Sequence, residues 1–227
     1  VFDFVNKPYT NMVLREGDYD VFHQTNFGTY CLDSLGDKPM VTTYHDANFL
    51  HFDPHPDLVK CQKASLERAD VIICVSENTK NDMLKYFNVD EKKARVVYHG
   101  IDIPDLSRLP KRRLVGDEYI LFVGRRHRHK NFKRFIEAFA IVHTKHPDIK
   151  LVCTGDKFTS EEISLMTDLK VIDAVKLIQA NEVEMKMLYR DASFFIFPSL
   201  YEGFGMPILE AWSCNCPVLL ADASCFP

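Results

Sequence analysis

Residues 193–212 read SFFIFPSLYEGFGMPILEAW, and the order of residue types in this stretch decides the fold. SFFIF is a short apolar run with the aromatic and β-branched content of a buried strand. Gly203 and Gly205 permit close backbone approach in the turn that follows, and Pro207 suits the first turn of a helix. PILEAWSC supplies that helix, and PVLLA is the next strand. Strand, glycine turn, helix and strand in immediate succession are the unit of a parallel sheet with crossover helices.

Working outward, the same unit recurs upstream. YILFV precedes the amphipathic NFKRFIEAFAIVHTKH, IKLVCTG precedes SEEISLMTDL, and AVKLI precedes VEMKMLYRDA. From Tyr119 onward the chain therefore reads as one Rossmann-like domain. The first half repeats the pattern more weakly, with strands at YDVFH, PMVTTY, ADVIICVS and ARVVYHG and helices around LVKCQKASLERA and NTKNDMLKYF. Between the halves lies IDIPDLSRLPKRRLVGDE, rich in Pro and charge and poor in periodicity, which reads as a linker. The expected organisation is α/β, with two domains at 1–108 and 109–227 and a boundary near Arg108.

Composition bounds the function classes. The chain has 227 residues, 46% of them hydrophobic, and a formal net charge of -4 with 26% charged residues. That balance suits folded α/β domains and argues against a general nucleic-acid binder. Seven cysteines are an odd number, and Cys74 and Cys153 sit inside apolar runs, so a reducing, cytoplasmic compartment is expected. Cys214 and Cys216 lack the second ligand pair of a zinc site. No apolar run approaches the ~18–20 residues that span a bilayer, and no charged-then-apolar leader opens the sequence. Because it begins at Val1 and stops after a strand-like run, the chain reads as an internal fragment of something longer, with both domains incomplete.

In open parallel sheets ligands gather beyond the carboxyl ends of strands, and three such ends carry chemistry. After YILFV come Gly124-Arg125-Arg126-His127-Arg128-His129-Lys130-Asn131, with a helix beginning at about Phe132. A diphosphate there would meet cations and a positive helix end together, with Arg125 and Lys130 as candidates. A solvated basic loop, or a patch for nucleic-acid phosphates, is the competing reading. After SFFIF, Glu202 lies in the loop and Glu210 about one turn inside the helix, so both carboxylates can face one crevice. One would suit a transferred sugar and the other a ribose, against the plainer reading of a capping Glu and a surface Glu. After PMVTTY come His45-Asp46, which read as a histidine paired with its neighbour, or as part of a metal cluster with His51, Asp53 and His55.

The span from Glu202 to Glu210 resembles the E-x7-E signature of family 4 retaining glycosyltransferases, whose GT-B fold sets two Rossmann-like parallel-sheet domains facing a cleft. Gly124-Arg125 with Lys130-Asn131 resembles that family's basic element, Ser76-Glu77 its usual pair after a first-domain strand, and His99 to Asp102 its interdomain strand end. The resemblance implies that Glu202 meets the donor sugar and Glu210 the nucleotide ribose. It implies that Arg125 and Lys130 hold the diphosphate, and that the backbone at Gly203, Phe204, Gly205 and Met206 touches sugar and phosphates. By the same resemblance His45 faces the donor sugar from the acceptor domain, and base recognition falls near Gln179 and Ala180. No metal or other cofactor is expected, in keeping with the lack of an Asp-x-Asp motif between strands, because cationic side chains would neutralise the leaving group.

The implied reaction moves a hexose from a UDP- or GDP-linked donor to a saccharide or glycolipid acceptor with retention, in polysaccharide or glycan biosynthesis. Attack on the face that the diphosphate vacates, with the diphosphate helping to deprotonate the acceptor, is the expected route. The extra charge of Arg126, Arg128 and His129 leaves room for an anionic acceptor or a membrane surface, and a cytoplasmic protein, peripheral at the inner membrane face, is expected. The family's opening strand with its Gly-rich loop and its closing helices are absent from the sequence. A non-catalytic nucleotide-sugar-binding module and a nucleotide-sugar epimerase are the alternatives. A dehydrogenase lacks its G-x-G-x-x-G, and nucleic-acid binding lacks an aromatic pattern beside the basic run.

Overall fold

The structure, a computed structural model, describes residues 2–52 and 54–227. It divides into two compact units, one ending at His99 and one running from Gly100 to Pro227.

The first unit comprises α1 (Phe2–Glu16), β1 (Phe22–Gln24), β2 (Met40–Tyr44), α2 (Asn48–His51), α3 (Pro56–Arg68), β3 (Val71–Cys74), α4 (Glu77–Tyr86) and β4 (Ala94–Val96). Its four strands pair in parallel in the order β1-β2-β3-β4. Met40, Tyr44, Ile72, Cys74, Leu66 and Met83 are fully buried among them. Local chemistry starts the helices where the sequence changes character. Pro56 opens α3, and Ser76 caps α4 by accepting the Thr79 N–H while the Thr79 hydroxyl accepts that of Ser76. Ser76 is thus a helix cap at the end of β3.

The second unit comprises β5 (Tyr119–Phe122), α5 (Phe132–Lys145), β6 (Lys150–Cys153), α6 (Ser160–Asp168), β7 (Val175–Leu177), α7 (Glu182–Asp191), β8 (Phe194–Phe197), α8 (Met206–Ser213) and β9 (Val218–Leu220). All five strands are parallel, in the order β7-β6-β5-β8-β9. Side chains alternate across the pleat, so a strand buried on both faces feeds two cores. β5 does this residue by residue. Tyr119 and Leu121 join Leu188, Tyr189, Ile208 and Ala211 of α7 and α8, while Ile120 and Phe122 join Phe132, Ile136, Phe139 and Met166 of α5 and α6. Helices therefore cover both faces, which is the doubly wound arrangement.

The strand order also locates the crevice. The chain runs outward from β5 through β6 to β7, then returns to the other side of β5 to lay down β8 and β9. The connections leaving β5 and β8 diverge, and the gap between their carboxyl ends is the topological switch point where ligands of open α/β sheets bind.

The division between units falls between His99 and Gly100, upstream of the expected boundary at Arg108. The segment read as a linker is built into the second unit. Val115 is buried in its core, with Leu106 and Leu114 packed against it. Arg113 donates to the Asp191 carbonyl, and Arg190 donates to the carbonyls of Pro110 and Arg112. Charge and proline, which suggest a free connector in sequence, are here tied down by arginine-to-backbone bonds. Among the described residues no helix is long and apolar enough to cross a membrane.

Candidate functional site

The loop leaving β5 is shaped by backbone before any side chain acts. Gly124 and Gly155, at the ends of β5 and β6, both adopt φ +99°, and a Cβ on Gly155 would stand 2.6 Å from the Gly124 carbonyl oxygen. Only glycine allows that approach. A single 3₁₀ turn at Arg128–Lys130 follows, and Asn131, in the left-handed region at φ 56°, opens α5. The loop leaving β8 is joined to it by the Leu200 N–H, which donates to the His129 carbonyl at 2.7 Å.

This junction brings together two of the expected residues. Lys130 Nζ donates to Glu202 Oε1 at 2.5 Å, with the two side chains 18% and 11% exposed. The ammonium also lies 5.1 Å from the centre of the Phe197 ring, at the end of β8. Glu202 is fixed at its backbone as well, where its N–H donates to the Ser224 hydroxyl and that hydroxyl donates to the Glu202 carbonyl.

The rest of the basic run separates into different jobs. Arg126 is a structural residue. Its guanidinium is 3% exposed, bonds Glu162 at 2.8 Å and the carbonyls of Thr154, Asp156 and Lys157, and lies 4.6 Å from the Phe158 ring centre. Arg125 stays at the surface, 70% exposed, and pairs with Asp156 at 3.4 Å. The structure does not bring Arg125 onto the Lys130–Glu202 pair. Arg128 and His127 line a separate groove of about 570 Å³ between the start of α5 and α6.

Around α8, Gly205 takes φ +93° as the residue before the helix, where a Cβ would meet Ile208 and Phe226 at 3.0 Å. Gly203 is buried, and the Phe204 carbonyl accepts from the Cys225 thiol. Met206 and Glu210 line a pocket of about 380 Å³ with Asp102, Met185, Lys186 and Tyr189. Glu210 Oε2 accepts from the Tyr189 hydroxyl at 3.0 Å. The two carboxylates expected to share a crevice therefore meet different neighbours, Glu202 the lysine and Glu210 the tyrosine. In the loop after β7, Gln179 donates to the Gly155 carbonyl at 2.6 Å, which ties that loop to the end of β6.

In the first unit His45 follows β2, bonds the Thr25 carbonyl through Nε2 at 2.9 Å and stacks on His99 with ring centres 6.1 Å apart. Burial, and then the neighbouring His45, hold the His99 pKa below its ordinary 6.5. His51 Nε2 lies 3.5 Å from Asp82, and its ring stands nearly perpendicular to that of Tyr86. Among the described residues no three His, Cys, Asp or Glu side chains gather as a metal site, and Asp53 of the considered cluster lies outside the described residues. The one Asp-x-Asp, Asp18-Tyr19-Asp20, precedes β1 at its amino end.

Sequence reasoning missed Tyr189, Asp156 and Ser224. Tyr189 sits among the apolar residues of α7 and reads as core; only its hydroxyl, useless in an apolar setting without a partner, was a signal.

Comparison with known proteins identifies the family and the fold. Residues 108–227 match the family described as glycosyl transferases group 1, and residues 2–104 match Glycosyltransferase Family 4. The chain belongs to this glycosyltransferase family and has its GT-B fold. O-antigen chain mannosyltransferase RfbU of Salmonella typhimurium is 29% identical over 165 residues, which cover 72% of this chain and 45% of that protein. O-antigen chain mannosyltransferase B of Escherichia coli is 26% identical over 235 residues, covering 94% of this chain and 60% of that one. Among solved structures, Anabaena Alr3699/HepE in complex with UDP and glucose superposes with TM-score 0.76 at 20% identity, over 96% of this chain and 63% of that one. The chain spans about half the length of the curated relatives it matches.

Proposed function

We propose that the second unit is the donor-binding half of a retaining glycosyltransferase, which moves a hexose from a UDP- or GDP-linked sugar to a saccharide or glycolipid acceptor. The observation that carries this reading is the meeting of Lys130 with Glu202 at the switch point, one residue from each diverging loop. A cation and a carboxylate on adjacent strand ends suit a ligand that presents phosphate and hydroxyls side by side.

In this reading Lys130, with Arg125 released from the exposed Asp156 pair, takes the diphosphate. Glu202 accepts from the sugar hydroxyls, Glu210 accepts from the ribose diol, and the backbone at Gly203, Phe204, Gly205 and Met206 approaches the sugar and phosphates. His45 is assigned to the sugar on the acceptor side. Lys130 and Arg125 oppose the negative charge that grows on the leaving diphosphate, the role a divalent cation plays elsewhere, so the reaction is read as metal-independent. The acceptor attacks on the face that the diphosphate vacates, and a diphosphate oxygen receives its proton. A relative in Campylobacter jejuni, 29% identical over 157 residues, is named for transfer of N-acetylgalactosamine to a diphospho-undecaprenol-linked sugar. That name supports a lipid-linked acceptor, and we read the enzyme as cytoplasmic and peripheral at the inner membrane face.

The test is transfer by the full-length protein from UDP- and GDP-hexoses to a lipid-linked saccharide in excess EDTA, with the anomeric configuration of the product read by NMR. An α-linked product from an α-linked donor supports the reading. Inversion, or activity only after a divalent cation is restored, overturns it, and an isomerised donor formed without acceptor favours an epimerase.

A further inference from the structure

Tyr189 is 2% exposed at the end of α7, in the company of Met187 and Leu188. Its ring meets Phe195 edge to face, with centres 5.5 Å apart and planes at 88°. For that packing a phenylalanine would serve equally well. The hydroxyl is the added feature, and it is spent on one atom, Glu210 Oε2 at 3.0 Å. Burial, with Glu210 beside it, pushes the phenol well above its ordinary range, so it remains an O–H donor. Both residues line the same pocket of about 380 Å³.

We propose that Tyr189 is a positioning residue for ribose recognition: its hydroxyl fixes the Glu210 carboxylate in the orientation that accepts a vicinal diol. This rests on the assignment of Glu210 to the ribose made above. A glutamate on a helix has three rotatable bonds, and a partly exposed one samples several rotamers unless something holds its far end. The tyrosine does so from a neighbouring helix, through a ring already locked against Phe195. It occupies one oxygen from the protein side, which leaves the carboxylate edge facing the pocket for the ligand. A bound ribose then meets an acceptor with less rotamer freedom left to lose.

Tyr189→Phe keeps the ring and removes the donor, so it is the decisive variant. Calorimetry on the full-length protein would use UDP and GDP alongside their 2′,3′-dideoxy forms, in the wild type, Tyr189→Phe, Glu210→Gln and the double variant. The expected result is a Kd for the ribonucleotide raised about threefold to tenfold by Tyr189→Phe, the scale of one freed side chain. The dideoxy nucleotide should show no change, and Tyr189→Phe should have no further effect on top of Glu210→Gln. Equal weakening of ribo and dideoxy forms would mean that Tyr189 only supports the fold, and the proposal would be wrong. Loss with Glu210→Gln but none with Tyr189→Phe overturns the positioning role and leaves the donor site standing. If Glu210→Gln itself changes nothing, the ribose assignment fails, and the inference fails with it.

Discussion

Replacing Glu202 by Gln should tighten binding of the free nucleoside diphosphate while failing to tighten binding of the nucleotide sugar. Lys130 Nζ and Glu202 Oε1 stand 2.5 Å apart, with side chains 18% and 11% exposed. An exposed pair is worth ~0–1 kcal/mol, and a hydrogen bond to a charged group ~1.5–3 kcal/mol. A pair this covered lies near the meeting of those ranges, about 1.5 kcal/mol, or roughly tenfold in an equilibrium constant. A diphosphate that recruits Lys130 must first displace Glu202 and bear that cost. Gln is the same size and carries no charge; its amide oxygen still accepts from Lys130 but more weakly, so the cost shrinks and Kd for UDP or GDP should fall by a few-fold, about tenfold at most. The intact donor repays the displaced carboxylate with sugar hydroxyls, a compensation Gln gives poorly, so its Kd should stay level or rise. Calorimetric titration of both ligands, with thermal melts to show the variant folds, reads the two values. Equal weakening of diphosphate and donor would refute the reasoning, because Glu202 would then be orienting Lys130 for phosphate instead of competing for it.

Three further outcomes follow from the packing. Arg126→Ala should cost ~3 kcal/mol, since it empties a 3%-exposed site and leaves the Glu162 carboxylate without its cation, with the Thr159 N–H still bonded to its other oxygen, and a denaturant melt of the second unit would show it. Gly155→Ala should cost ~1–3 kcal/mol or more, because of φ +99° and the Gly124 carbonyl at 2.6 Å. Gly124→Ala shares the φ but meets nothing within 4 Å, so its melting temperature should fall less; equal losses would contradict the close-approach argument. His99, held below 6.5 by burial and His45, binds fewer protons folded than unfolded between its folded pKa and 6.5. Stability of the first unit should therefore decline as pH drops through that window and level off below it. His99→Gln should flatten the profile, and parallel profiles for variant and wild type would contradict the assignment.

How much of this was legible in the sequence depends on range. The helix start at Pro207 is readable in the sequence because its signal acts within one turn; the Ser76 cap is as local, yet the sequence yielded Ser76 only as one of a pair after a strand. α1 is harder to read, since Pro8 inside it is a residue that ordinarily breaks helices. The placement of β8 beside β5, which creates the switch point, is a pairing between residues far apart in sequence. So is the division of the basic run: Arg126 and Arg125 are neighbours with the same charge, yet one is buried on Glu162 and the other exposed on Asp156. Nothing within a few residues separates them; of the two rings beside Arg126, Phe132 opens α5 and Phe158 lies in the loop before α6. Glu202 and Glu210 were recognisable as a pair by spacing, whereas their separate partners, Lys130 and Tyr189, depend on which loop and helix lie alongside.

In the proposed function the loops after β5 and β8, with the start of α8, form a nucleotide-sugar site that sets Lys130 on the diphosphate and Glu210 on the ribose. Its most direct test is calorimetric titration of the full-length protein with UDP, GDP and ADP in EDTA, beside Lys130→Ala and Glu210→Ala. UDP or GDP should bind without metal, and each substitution should weaken that binding about tenfold or more, the scale of one charge-assisted contact. No binding by any of the three, or binding untouched by both substitutions, would contradict it.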